Sequence, residues 1–85
     1  MTGELLLRQA ATIVANRRAV YGDPATSMDL VARRWSITLG RPVTPAQVAL
    51  CLIDLKLARL AHDPTHLDSI VDIAGYAAVL REVTK

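Results

Sequence analysis

The chain has 85 residues, 52% of them hydrophobic, with ten basic and eight acidic side chains for a formal charge of +2. A chain this short buries roughly 60–65% of its unfolded surface, and no disulfide can supplement that core because Cys51 is the sole cysteine. The small charge excess does not by itself predict a nucleic-acid-binding surface, and no apolar run approaches the ~20 residues of a membrane span.

Hydrophobic periodicity predicts four helices, an all-α bundle in one domain spanning 1–85. The first helix, residues 3–19, places Leu6, Ala10, Ile13, Val14 and Arg17 at i, i+3, i+4 spacing. It stops at "YGDP", where Gly22 is free to take a positive φ, Asp23 is a good N-cap and Pro24 suits a first turn. The second helix, 24–39, carries Met28, Val31, Ala32, Trp35 and Leu39 along one stripe and ends at Gly40.

Thr44, Pro45 and Gln47 then spell a capping box and open a third helix over 45–61. That helix is apolar almost all round, so it is expected to be central in the bundle or to be covered by a partner chain. Within it, the lone thiol of Cys51 reads as a small buried group in a reducing, cytoplasmic setting. "ELLLRQ" near the start has neither the length nor the cleavage site of a secretory leader. "HDPTH" interrupts the helical pattern at Pro64. A fourth helix over 66–83 follows, thin along Ala74, Gly75, Ala77 and Ala78 and so open to close helix approach.

Few polar groups interrupt these apolar stripes, and their phases limit what they can do. Asp68 and Asp72 lie one turn apart on one face of the fourth helix, with Gly75 and Tyr76 continuing that face. Like charges at this spacing repel. Two carboxylates together with substrate phosphates are a usual way to hold Mg²⁺, while dipole stabilisation by Asp68 and simple solvation of Asp72 is the plainer reading. On the third helix Lys56 and Arg59 point within about 60° of each other. They suit phosphate oxygens, as a point charge and a bidentate fork, and equally suit salt bridges to Asp68 and Asp72 of an antiparallel neighbour. Tyr21 suits either stacking on a base or packing before the cap.

Other chemistries lack their parts. His62 and His66 have no third ligand at zinc-like spacing, Ser27, Ser36 and Ser69 lack a nucleophile-elbow setting, and no phosphate-cradling glycine loop is present. The pairs Arg17–Arg18 and Arg33–Arg34 beside Trp35 read as solvated helix surface, with nucleic-acid contact the lesser reading.

Taken together, "YGDP", Trp35, "KLARL" and "DSIVDIAGY" resemble a small phage- and prophage-borne domain family of unassigned function, over about residues 17–80. Members often carry an asparagine where this chain has Ser27. More distantly, the pattern is similar to the MazG-like all-α nucleoside triphosphate pyrophosphohydrolases, which oligomerise and hold Mg²⁺ with E-x-x-E on one helix and E-x-x-D on the next. Asp72 matches the final aspartate, Asp68 is displaced by one position, and the E-x-x-E half is missing, Asp54 being the only acid in "CLIDLKLARL".

The resemblance therefore implies a bundle completed by self-association and a nucleotide or phosphate ligand contacted by Lys56, Arg59, Tyr21 and Tyr76. Mg²⁺ would sit at Asp68 and Asp72, and binding is favoured over hydrolysis. If the protein is an enzyme, it would be a Mg²⁺-dependent pyrophosphohydrolase acting in the host cytoplasm. The alternative is a non-catalytic phage interaction protein that sequesters a nucleotide signal or binds a host protein through its third helix.

Overall fold

The computed structural model describes residues 1–85 and contains four helices and no strand. They are α1 (Gly3–Tyr21), α2 (Pro24–Leu39), α3 (Pro45–His62) and α4 (Leu67–Thr84). Their ends follow the capping chemistry written in the sequence. The Thr2 hydroxyl accepts the Leu5 N–H at 3.3 Å to open α1, and Gly22, at φ 85 and ψ −164, closes it. Asp23 caps α2 through the Ala25 N–H at 3.4 Å.

At the other end of α2, Gly40 adopts the left-handed conformation (φ 67, ψ 28). The N–H groups of Gly40 and Arg41 both donate to the Ser36 carbonyl, at 3.0 and 3.2 Å. The Ser36 hydroxyl donates to the Ala32 carbonyl at 2.7 Å and accepts the Val43 N–H at 2.9 Å. The capping box then forms in both directions, with Gln47 N–H to Thr44 Oγ1 at 3.1 Å and Thr44 N–H to Gln47 Oε1 at 2.9 Å.

Between α3 and α4 the Asp63 carboxylate accepts both the N–H and the hydroxyl of Thr65, at 3.0 and 2.7 Å. Those two hydrogen bonds, with a smaller contribution from His66, hold Asp63 below its ordinary pKa against slight desolvation. The α4 cap is His66, whose Nδ1 accepts the Ser69 N–H at 3.3 Å and lies 2.7 Å from the Ser69 hydroxyl. An imidazole nitrogen here does the work usually done by a Ser, Thr, Asp or Asn oxygen.

The hub of the bundle is α4 rather than α3. It packs against all three other helices, most extensively against α3, whereas α1 and α3 make no close backbone approach to each other. The small residues of α4 explain this placement. At Gly75 a Cβ would meet Val14 Cγ2 at 3.7 Å, so α1 approaches to ordinary van der Waals distance with room for one methyl at most.

α3, despite its apolar circumference, leaves Leu50, Leu55 and Leu57 about half exposed. Cys51 is also exposed, contrary to the buried thiol expected of it, because it lies on the outward face that also carries Leu50, Asp54 and Ala58. Periodicity identifies how many faces are apolar, but not which of them the chain itself covers.

Full burial is confined to six residues, Ala10, Ala32, Val48, Ala49, Ser69 and Val71. These are small side chains where helix axes come close, and the larger aliphatics surround them half-buried. The radius of gyration is 13.5 Å, against about 12 Å for a compact chain of this length.

Candidate functional site

The turn at Gly22 brings the start of α2 beside the end of α1, and both meet the middle of α4. Between them lies a cavity of about 300 Å³. Helical periodicity supplies its walls. From α1 come Ile13, Val14, Arg17, Arg18 and Tyr21, from α2 come Pro24, Ser27 and Met28, and from α4 come Val71, Asp72, Gly75, Tyr76 and Val79. These positions recur at three- and four-residue steps, so each helix presents one continuous stripe. α3 contributes Leu52. Most of the lining is apolar with a few polar side chains among it, the usual composition of a small-molecule pocket.

The lining is uneven in charge. Asp72 is paired with Lys56 at 3.0 Å, and both side chains are largely buried (22% and 12% exposed). That pair bridges α4 to α3 and neutralises the acid in the cavity wall. Arg18 reaches Glu82 at 3.7 Å, while Glu82 is held more closely by Lys85 at 3.0 Å. The Lys85 hydrogen bond and charge, with smaller help from Arg18 and Arg81, hold Glu82 below the usual carboxylate range against slight desolvation. The remaining ion pair is Asp29–Arg33 on α2, so Arg17 has no carboxylate partner. The hydroxyls of Tyr21, Ser27 and Tyr76 have no hydrogen-bond partner in the protein either.

Of the residues singled out from the sequence, the fold brings Tyr21, Tyr76 and Asp72 to this one cavity, with Lys56 behind Asp72. Arg59 lines a separate, shallow depression with His62, Asp63 and His66 at the C-terminal end of α3. Asp68 lies exposed in the first turn of α4, away from the cavity lining. No three His, Cys, Asp or Glu side chains converge as a metal cluster. The salt-bridge reading of Lys56 with Asp72 holds, and the corresponding Arg59–Asp68 pair does not form. Missed as cavity residues were Arg17 and Arg18, a pair that reads from the sequence as solvated helix surface. The signal that could have found them is their phase, three and four residues before Tyr21.

Over residues 5–84 the chain matches a family described as a domain of unknown function, DUF6378. The chain belongs to the DUF6378 family. Among the relatives of this DUF6378 chain, the Gene 55 protein of Mycobacterium phage L5 is 39% identical over 80 residues, 92% of this chain and 51% of that protein. The Gene 55 protein of Mycobacterium phage D29 is 30% identical over 81 residues, 94% of this chain and 54% of that protein. The chain thus spans about half the length of the curated relatives it matches. The likeness to phage-borne domains read from "YGDP" and "DSIVDIAGY" is borne out by these relatives. No solved structure matches the chain, and no helix is long and apolar enough to cross a membrane.

Proposed function

We propose that this DUF6378 chain binds a phosphorylated nucleoside in the cavity between α1, α2 and α4, as a relative of the MazG-like pyrophosphohydrolases in which binding outlasts catalysis. The observation that carries this reading is the cavity itself, lined by aliphatic side chains, by Tyr21, Ser27 and Tyr76, whose hydroxyls are unpartnered, and by two arginines. A planar, partly apolar base suits the tyrosines and the apolar lining, and the polar side chains suit sugar and phosphate.

Asp68 and Asp72 are too few ligands for a resident Mg²⁺, and Asp72 already has Lys56 as its counter-charge. Mg²⁺ therefore enters with the ligand's phosphates, which complete its oxygen shell. With no second acid pair there is no built group to activate a water for attack, so pyrophosphate release is expected to be slow or absent. Host cytoplasm, where nucleotides are available, is the matching site of action.

Thermal-shift measurements with a panel of nucleoside and deoxynucleoside triphosphates, with and without Mg²⁺, test the reading alongside a pyrophosphate-release assay. Stabilisation by a nucleotide supports it, and Mg²⁺ alone is expected to give no shift. A ligand without turnover identifies sequestration. No stabilisation by any nucleotide overturns nucleotide binding and favours a protein partner instead.

Self-association belongs to the same reading. A compact monomer of 9.2 kDa would expose roughly 4,900 Å², whereas the chain exposes 5921 Å². The surplus of about 1,000 Å² is close to what one partner contributes to a standard interface. The half-exposed leucines of α3, Leu50 and Leu57, supply the apolar part of such a surface, and a second copy is its occupant. A solution mass of two or more chains that falls to one in Leu57→Glu is the expected result. A mass of one chain for the unaltered protein refutes self-association.

A further inference from the structure

We infer that the anionic end of the ligand is held by Arg17 and Arg18 at the α1 end of the cavity, and not by the basic residues of α3; this rests on the nucleotide reading above. The cavity wall carries three charged side chains, and only one of them is acidic. That acid, Asp72, is cancelled by Lys56, which leaves the two arginines as the excess charge in the chamber wall. Arg17 has no carboxylate partner at all. Arg18 has a weak one, since Glu82 is 3.7 Å away and is held more tightly by Lys85 at 3.0 Å.

Arg17 and Arg18 both line the cavity, and their two guanidinium groups together carry more N–H donors than one phosphate can use. Arg59 has the same chemistry in the wrong place, in a depression at the far end of α3. Lys56 has a half-buried carboxylate to satisfy, and withdrawing it would leave Asp72 charged and unpaired. The ligand consequently lies with its base between Tyr21 and Tyr76 and its phosphates toward Arg17 and Arg18. Glu82 acts as a mild competitor, because an incoming phosphate and the Glu82 carboxylate want the same Arg18 donors.

The competition makes a test that loss of packing cannot mimic. Calorimetric titration would use deoxyadenosine triphosphate and deoxyadenosine as a matched pair of probes. The triphosphate is expected to bind at least tenfold more tightly than the nucleoside, and this gap closes as salt is raised. Arg17→Gln weakens the triphosphate by about tenfold or more and leaves the nucleoside unchanged. Glu82→Gln tightens the triphosphate, by about two- to fivefold. Arg59→Gln changes neither.

A triphosphate that binds Arg17→Gln and unaltered protein equally, or that is weakened by Arg59→Gln alone, overturns the clamp while leaving nucleotide binding intact. Equal binding of nucleoside and triphosphate also overturns it. Absence of binding by both probes, with no stabilisation by any other nucleotide of the panel, removes the nucleotide reading itself, and the clamp with it. Arg17 is exposed, so the thermal midpoint of Arg17→Gln without ligand should match the unaltered protein and exclude unfolding as the cause.

Discussion

The two ends of α2 are built to opposite specifications. At its C-terminal end, the Ser36 hydroxyl, the Ser36 carbonyl, Gly40 and the Thr44–Gln47 box leave few backbone groups without a partner. At its N-terminal end, Gly22 and Asp23 turn the chain with one long cap contact of 3.4 Å and two backbone hydrogen bonds. The sparse corner borders the cavity and the dense one does not. A turn whose donors are saturated internally has nothing left to offer a ligand, while one held chiefly by backbone conformation leaves its neighbouring side chains free. Binding elements are drawn from the less tightly tied parts of a fold, and the proposed ligand site borders such a part, the α1–α2 corner.

Substitutions at each corner expose the difference. Gly22 occupies a region of positive φ with ψ near 180° that is open in practice only to glycine. Gly22→Ala is therefore expected to destabilise by about 2–3 kcal/mol and to disturb the cavity rim, read by denaturant unfolding; a cost under about 0.5 kcal/mol would show that the corner relaxes freely. Ser36→Ala removes the partner of the Val43 N–H at a half-buried site, which should cost about 1–2 kcal/mol without affecting ligand affinity. Gly40→Asn should cost only a few tenths of a kcal/mol, because asparagine tolerates the left-handed conformation that Gly40 adopts. If it costs as much as Gly22→Ala, the two glycines are not doing different jobs.

The α3–α4 turn gives the mildest readout. Thr65→Ala removes the hydroxyl hydrogen bond, the largest of the contributions that lower the Asp63 pKa, and keeps the backbone one, so that carboxyl should titrate part of the way back toward its ordinary value in an NMR titration. The sign is that of a depressed acid. Its stabilising contribution is present above the unfolded pKa and is lost as pH falls through the folded one. Thr65→Ala should flatten that acid limb, and an unmoved Asp63 titration would show that the Thr65 contacts do not persist in solution.

Helix boundaries were legible because proline, glycine and capping side chains act on the residues next to them, so "YGDP" and "RPVTPAQ" carry their structure locally. His66 escaped notice as a cap since imidazole is an uncommon choice for that role, and only its geometry against Ser69 shows it. Which helix sits centrally was not legible. α3 reads as apolar almost all round and so as the central helix, yet α4 is the hub because thin side chains let three neighbours close in. At the site, Tyr21, Tyr76 and Asp72 were recognisable one by one. Their convergence with Arg17 depends on where α1 crosses α4, a tertiary fact that no local spacing encodes.

Gly75 lines the chamber, yet an added Cβ there would meet only Val14 Cγ2, at 3.7 Å. A methyl could be added at that position without prying the helices apart, and in a helix interior alanine is the better former by about 1 kcal/mol. One methyl at this position would therefore narrow the chamber and firm up the scaffold at the same time.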